Sequence, residues 1–189
     1  MQKPRYALVA YLKGPAGVFV ENVRREVHPD LPHLAAHLTI LPPRLLQGSE
    51  SDALQVLERI CGDEEPFEVT LGNVETFVPV TPTVYIRVDG AAAHMSALHD
   101  KLNTEALAYK EEWPYIPHLT IAKMGATQPA QAAFLLARSH WSQFSGTRRI
   151  LLERLTFVRE EVRDDGPNCW VDLAPVQLGR RLVPGSLSR

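Results

Sequence analysis

His37-Leu38-Thr39-Ile40 and His118-Leu119-Thr120-Ile121 are one four-residue string written twice, 81 residues apart. Thr and Ile favour extended backbone, and apolar residues alternate with polar ones, so each copy reads as a short β-strand. Side chains alternate between the two faces of a strand. His37 and Thr39 therefore share one face while Leu38 and Ile40 point into the core, and His118 and Thr120 share a face in the same way. Each strand offers an imidazole and a hydroxyl about 6.5 Å apart along the chain. Brought together, the two strands make a cleft with two titratable imidazoles and two neutral hydrogen-bond donors. A half-buried strand can carry His and Thr on its wet face for no functional reason. Two matches to His-apolar-Thr-apolar, however, arise by chance in roughly one chain in several hundred at ordinary residue usage. The pair is therefore read as a site.

The elements around the two strings follow one order. Residues 6–12 are a continuous apolar run and read as a central strand, broken by Lys13-Gly14-Pro15. Val20, Val23 and Val27, with charge between them, predict an amphipathic helix over 17–27. The first motif strand, 37–41, is expected to close at Pro42-Pro43. A helix over 51–61 follows, with Leu54, Leu57 and Cys61 inward and a serine at 49 or 51 as its cap. A strand over 67–71 leads to Gly72-Asn73, a bulge or turn, with 74–78 continuing it. The second round reads as a strand over 83–88, a helix over about 91–109, the motif strand 118–122 and a helix from Pro129 to about 144. Residues 149–161 read as one long strand, 164–167 as a hairpin turn and 169–174 as its partner. Residues 179–189 read as a flexible tail. The pattern is strand, helix, motif strand, helix, strand, twice over. It predicts a single bilobal domain with halves of about 5–80 and 83–178, each giving one His-Thr strand to a shared cleft.

The two motifs, in a chain of this length and order of elements, resemble the two-histidine (2H) phosphoesterase superfamily, in its LigT-like branch of 2'-5' RNA ligases and RNA 2',3'-cyclic phosphodiesterases. The resemblance implies an α+β, bilobal LigT-like fold, with duplicated β-α-β-α-β halves and a concave, mainly antiparallel sheet around a central cleft. It implies His37 and His118 as the catalytic acid–base pair, with His118 the base and His37 the acid, and Thr39 and Thr120 as phosphate holders. The substrate implied is a nucleotide or RNA end bearing a cyclic phosphate or a 2'-5' linkage. The residue types suit that chemistry. Histidine titrates near neutrality and serves either proton role, and fixed hydroxyls donate to the charged phosphate oxygens.

Other residues carry less. Tyr85 and Arg87 share the polar face of strand 83–88, where they would stack a base and meet phosphate, or lie on a half-exposed surface. Lys123 stands five residues after His118, where the family often has a cation, but strict alternation points it away from the His118 face unless a bulge re-aims it. Tyr115 and Trp113 would rim a nucleobase or simply pack beside their prolines. His28, His33 and His37 invite a metal reading, but their spacing crosses a Pro-rich loop and lacks tight pairing. No metal or cofactor is expected. His94, His99 and His140 read as ordinary helix residues.

Composition bounds the rest. With 189 residues and 45% hydrophobic content the chain can bury a proper core. A formal net charge of −2 argues against broad coating of nucleic acid, though not against binding a small phosphate or an RNA end. No apolar run approaches the roughly 20 residues of a membrane span, and the N-terminus reads as a strand rather than a signal peptide. Two distant cysteines suit a reducing interior. A cytoplasmic monomer is the expectation. The rival to an enzyme is a module that binds nucleotide without turnover.

Overall fold

A computed structural model describes residues 3–27, 34–161 and 169–179. The chain runs β1 (Tyr6–Tyr11), α1 (Gly14–Val27), β2 (His37–Arg44), α2 (Glu50–Gly62), β3 (Phe67–Thr76), β4 (Thr83–Gly90), α3 (Ala92–Leu102), β5 (His118–Lys123), α4 (Thr127–Ser142), β6 (Arg149–Leu152), β7 (Arg154–Glu161) and β8 (Cys169–Gln177). The strands form one curled antiparallel sheet in the order β6-β3-β4-β5-β2-β1-β7-β8. The fold is α+β, with β2 and β5 side by side at its centre. They meet at a single residue pair, Leu38 opposite Leu119.

The order of strands reveals an exchange between the halves. The third strand of the first half, β3, pairs with β4 of the second, and β7 of the second half pairs with β1 of the first. Residues 149–161, expected as one strand, are two. The ladder breaks at Glu153, so that β6 hydrogen-bonds to β3 at one edge of the sheet while β7 lies beyond β1 on the other side. Periodicity sees only local backbone and cannot register that two extended stretches belong to different neighbours.

Helices cover one face of the sheet. Leu8, Leu38, Ile40, Ile86, Leu119 and Ile121 on that face pack with Val20, Leu57, Met95 and Trp141 from the four helices in a single core. Each such fully buried aliphatic side chain contributes roughly 1.5–3 kcal/mol. Among the described residues, the opposite face carries a small apolar cluster of Ala7, Val9 and Val158, with Tyr11 and Trp170 against it. His37, Thr39, His118 and Thr120 lie half-buried on that helix-free face.

One helix start agrees with expectation and two boundaries differ for physical reasons. Ser49 caps α2 in a reciprocal capping box with Asp52, as one of the two expected serines. The helix expected to 109 stops at Leu102. Asn103 turns its side chain onto Tyr109, accepting from the Tyr109 N–H at 2.9 Å and donating to its carbonyl at 3.1 Å. A short 3₁₀ turn, Glu105–Leu107, follows. Pro42-Pro43 does not close β2, which runs on to Arg44. The Arg44 side chain is 1% exposed and binds Asn103 Oδ1 at 2.8 Å, the Leu107 carbonyl at 3.0 Å and Glu111 Oε1 at 2.5 Å. This buried guanidinium ties the end of β2 to the connection between α3 and β5.

Because breaking a buried pair strands one charge, Glu111→Gln is expected to lower the free energy of unfolding by about 3 kcal/mol. Urea denaturation followed by circular dichroism checks it, and an unchanged midpoint would contradict the assigned role of the pair.

Candidate active site

The two imidazoles are held alike. His37 Nδ1 lies 2.7 Å from the Ala35 carbonyl, and His118 Nδ1 lies 2.6 Å from the Ile116 carbonyl, each two residues back. A carbonyl only accepts, so both Nδ1 atoms carry the proton in these bonds. That fixes the neutral tautomer and leaves Nε2 of each ring to accept or deliver a proton. The backbone just before each motif matches too. The Leu12 N–H donates to the Ala36 carbonyl at 2.8 Å, and the Val88 N–H to the Pro117 carbonyl at 3.2 Å.

Antiparallel pairing at Leu38–Leu119 sets His37 across from Thr120 and Thr39 across from His118, all on the helix-free face. Each motif strand then bulges at the same place. Against β1 the register steps from Thr39 to Leu41, passing over Ile40; against β4 it steps from Thr120 to Ala122, passing over Ile121. Two successive residues are consequently buried in each strand, Ile40 with Leu41 and Ile121 with Ala122. The bulge corrects the alternation expected for Lys123. With one residue passed over, Lys123 pairs with Thr83 and returns to the face of His118 and Thr120. Its charge acts on both imidazoles.

Burial sets the protonation of the site. Desolvation, reinforced by the cations of Arg24 and Lys123 and by His118, pushes His37 down to about 4. Desolvation, with Lys123 adding to it, also lowers His118 below its ordinary value. The hydrogen bonds from Nδ1 to the carbonyls oppose these effects. Burial likewise lowers Lys123, with Arg5 adding to it.

The remaining expected residues fall into three groups. Tyr85 is buried; its ring stacks on Phe77 at 4.1 Å, and both rings meet His118 edge-on at 5.2 Å. Its hydroxyl donates to Glu75 Oε2 at 3.1 Å, and burial raises it to about 12. Phe77 thus covers Tyr85. Arg87 stands opposite His118 in register but is engaged by Asp89 at 2.7 Å and Glu75 at 3.4 Å. Tyr115, read from sequence as rim or packing, is committed beneath β2. Its hydroxyl donates to the Thr39 carbonyl at 2.7 Å, and its ring stacks on His99 at 4.0 Å. Trp113 is exposed. His28 and His33 lie outside the described residues, and no group of three or more metal-ligating side chains occurs among the described residues.

Sequence reading missed several neighbours of the site. His99 is no ordinary helix residue: it is buried, and its Nδ1–H donates to the Ile40 carbonyl, the bulge position, at 2.8 Å, with Glu111 3.4 Å from Nε2. Tyr11 stands opposite His37, its ring 6.4 Å away, and donates to Asp172 Oδ1 at 2.5 Å. Phe77 lies in the expected continuation 74–78, one residue past the observed end of β3, and gives no local signal. Tyr11 could have been found, since it ends the strand whose counterpart carries Tyr85 and Arg87.

Comparison with known proteins gives the family and the fold. The model of the 2'-5' RNA ligase superfamily matches residues 13–164, and the chain belongs to that superfamily. It is 30% identical over 93 residues, 45% of this chain and 54% of the other, to a protein of Oceanobacillus iheyensis named "Putative phosphoesterase". The match thus spans just over half of that relative. A protein of the same name from Halalkalibacterium halodurans is 24% identical over 119 residues, 62% of this chain and 69% of the other. In fold the chain is similar to E. coli LigT complexed with NADP+ (TM-score 0.63, 15% identity, 95% of this chain and 99% of that one). It is similar to TT0787 of Thermus thermophilus as well (TM-score 0.63, 18% identity, 93% and 98%). No described helix is long and apolar enough to cross a membrane.

His37 is expected to stay neutral until the pH falls to about 4, read from its ring signals in an NMR titration. An unfolded imidazole takes up its proton near 6.5, so unfolding binds protons between these values. This group's contribution to stability is complete above 6.5 and lost as pH falls towards 4. A His37 that titrates above 6.5 in the folded chain would contradict the desolvated, cation-flanked site.

Proposed function

We propose that the chain is a metal-independent phosphodiesterase that hydrolyses 2',3'-cyclic phosphate ends of nucleotides or RNA to 2'-phosphates. The observation that carries this reading is the matched pair of Nδ1–H bonds to backbone carbonyls, which leaves two Nε2 atoms free on one face. In the reaction, one Nε2 takes a proton from water as its oxygen attacks phosphorus. The other gives a proton to the 3'-oxygen as its bond to phosphorus breaks, leaving a 2'-phosphate and a 3'-hydroxyl. Negative charge gathers on the non-bridging oxygens, where Thr39, Thr120 and Lys123 meet it. The geometry presents the two rings alike; the family resemblance makes His118 the base and His37 the acid. His37 in the free protein is neutral near pH 7, so the phosphate's own charge brings in its proton by offsetting burial.

Relatives in fold include E. coli LigT complexed with 3'-AMP and with ATP, which supports a nucleotide as the ligand of this cleft. The superfamily's name favours a second reading on the same residues. At a linear 2'-5' linkage the neighbouring 3'-hydroxyl attacks phosphorus, the 5'-oxygen leaves and a cyclic phosphate forms; the reverse joins the ends. A module that binds nucleotide without turnover is the remaining alternative. A cytoplasmic monomer is in keeping with this reading.

The test is product formation from 2',3'-cyclic AMP and from a short RNA with a cyclic-phosphate end, in EDTA. The wild type turns over; His37→Ala and His118→Ala do not, and both remain folded. Full activity in either variant, or activity abolished by EDTA, overturns the proposal. Replacing Thr39 or Thr120 by Val is expected to lower kcat by about 10²–10³. Because both imidazoles are held below 6.5 in the free protein, kcat/KM against pH forms a bell with both limbs on the acid side of that value. A bell centred above 7 contradicts the assignment of the limbs to these two groups.

A further inference from the structure

Glu21 and Arg24 lie one turn apart on α1, and the sequence reads them as part of a solvated helix face. The Arg24 side chain is only 7% exposed. Its Nη1 donates to Glu21 Oε1 at 2.9 Å, and its Nη2 donates to the Leu34 carbonyl at 3.1 Å. The same Glu21 oxygen accepts the Ala36 N–H, and the Ala36 carbonyl is taken by the Leu12 N–H. The segment 34–36 is thus gripped on both sides of Ala35, and the Ala35 carbonyl is the one that receives Nδ1–H of His37.

The second motif meets the same need without charge. Ile116, whose carbonyl receives His118, sits between Tyr115, anchored on Thr39, and Pro117, whose ring fixes its own φ. The first motif has Leu34-Ala35-Ala36 in that place, with nothing in its covalent structure to stiffen it. A buried ion pair is a poor source of stability in its own right. Here both of its members are engaged with the backbone beside a single imidazole.

We propose that Glu21 and Arg24 are positioning residues for His37: by fixing Leu34 and Ala36 they hold the Ala35 carbonyl, and through it the ring orientation and tautomer of His37. The inference rests on the paired-histidine reading of the site. The Arg24 cation is also among the charges that act on His37, whereas Lys123 is the charge that acts on His118.

The experiment is ¹⁵N NMR of the full chain labelled at histidine, at pH 7.5, for wild type, Arg24→Met, Arg24→Lys and Glu21→Gln, with cyclic-phosphate turnover measured in parallel. Wild type gives the Nδ1–H tautomer at both rings. In Arg24→Met, His37 becomes a mixture of tautomers while His118 is unchanged. Turnover falls about 10- to 100-fold with KM within about twofold. Arg24→Lys, which keeps the charge but loses the fork, fails to restore the single tautomer. If Arg24→Met does not fold, the reading is taken from Glu21→Gln, which keeps an oxygen for the Ala36 N–H and must still shift His37 alone. A wild-type His37 spectrum in the folded variants, restoration by Lys, or equal changes at His37 and His118 overturns the proposal. The spectra decide it even if the chain turns over neither substrate, so its failure is separable from failure of the enzymatic reading.

Discussion

One residue pair, Leu38 against Leu119, joins β2 to β5 at the centre of the sheet. Everything on the helix-free face depends on it, because antiparallel register at that pair decides which side chains oppose one another. A slip of one residue in either strand would turn that strand over, sending its imidazole into the helix-covered core and its leucine, Leu38 or Leu119, to the surface. Burial of Leu38, Ile40, Leu119 and Ile121, each at most 1% exposed, makes that slip prohibitive. The site is therefore specified by the hydrophobic residues that alternate with it, not by attraction among its polar members.

A ladder one pair long leaves backbone groups unpaired on each side, and the fold assigns them partners. Tyr115 takes the Thr39 carbonyl and His99 the Ile40 carbonyl, and Glu111 and Arg44 continue the network to the end of β2. Burying these polar groups costs free energy unless each is satisfied. In return β2 and β5 stand side by side without zipping together. The bulges after Thr39 and Thr120 have a related effect: they turn each strand past its motif and, in β5, bring Lys123 round to the face of His118 and Thr120. In β2 the matching position is Pro42, which carries no charge. The two-fold likeness of the backbone thus supports an unlike pair of electrostatic surroundings.

How much of this was legible follows the range of the interactions. Period-two alternation identified His37, Thr39, His118 and Thr120 as sharing a face with their partners, because that property is local to four residues. The repeat of the string pointed to a cleft between two strands. The facing of Lys123 stayed open because a bulge depends on the neighbouring strand as well as on the strand itself. Glu153 gave no sign of dividing β6 from β7, since both flanks are extended and only their partners differ. Glu21, Arg24, His99 and Arg44 escaped notice for one reason. Polar residues in helices or beside prolines read as surface, and only the tertiary structure shows that backbone groups elsewhere in the chain are among their partners.

The proposed chemistry requires the Nε2 atoms of His37 and His118 to face a single phosphorus from opposite sides. A crystal structure of the chain with a nucleoside vanadate, which imitates five-coordinate phosphorus, puts that requirement to the test. The vanadium is expected between the two rings, each Nε2 within hydrogen-bond reach of a different apical oxygen, and the Thr39 and Thr120 hydroxyls on equatorial oxygens. A vanadate bound with both imidazoles on one oxygen, or seated away from the Leu38–Leu119 junction, would refute the in-line arrangement.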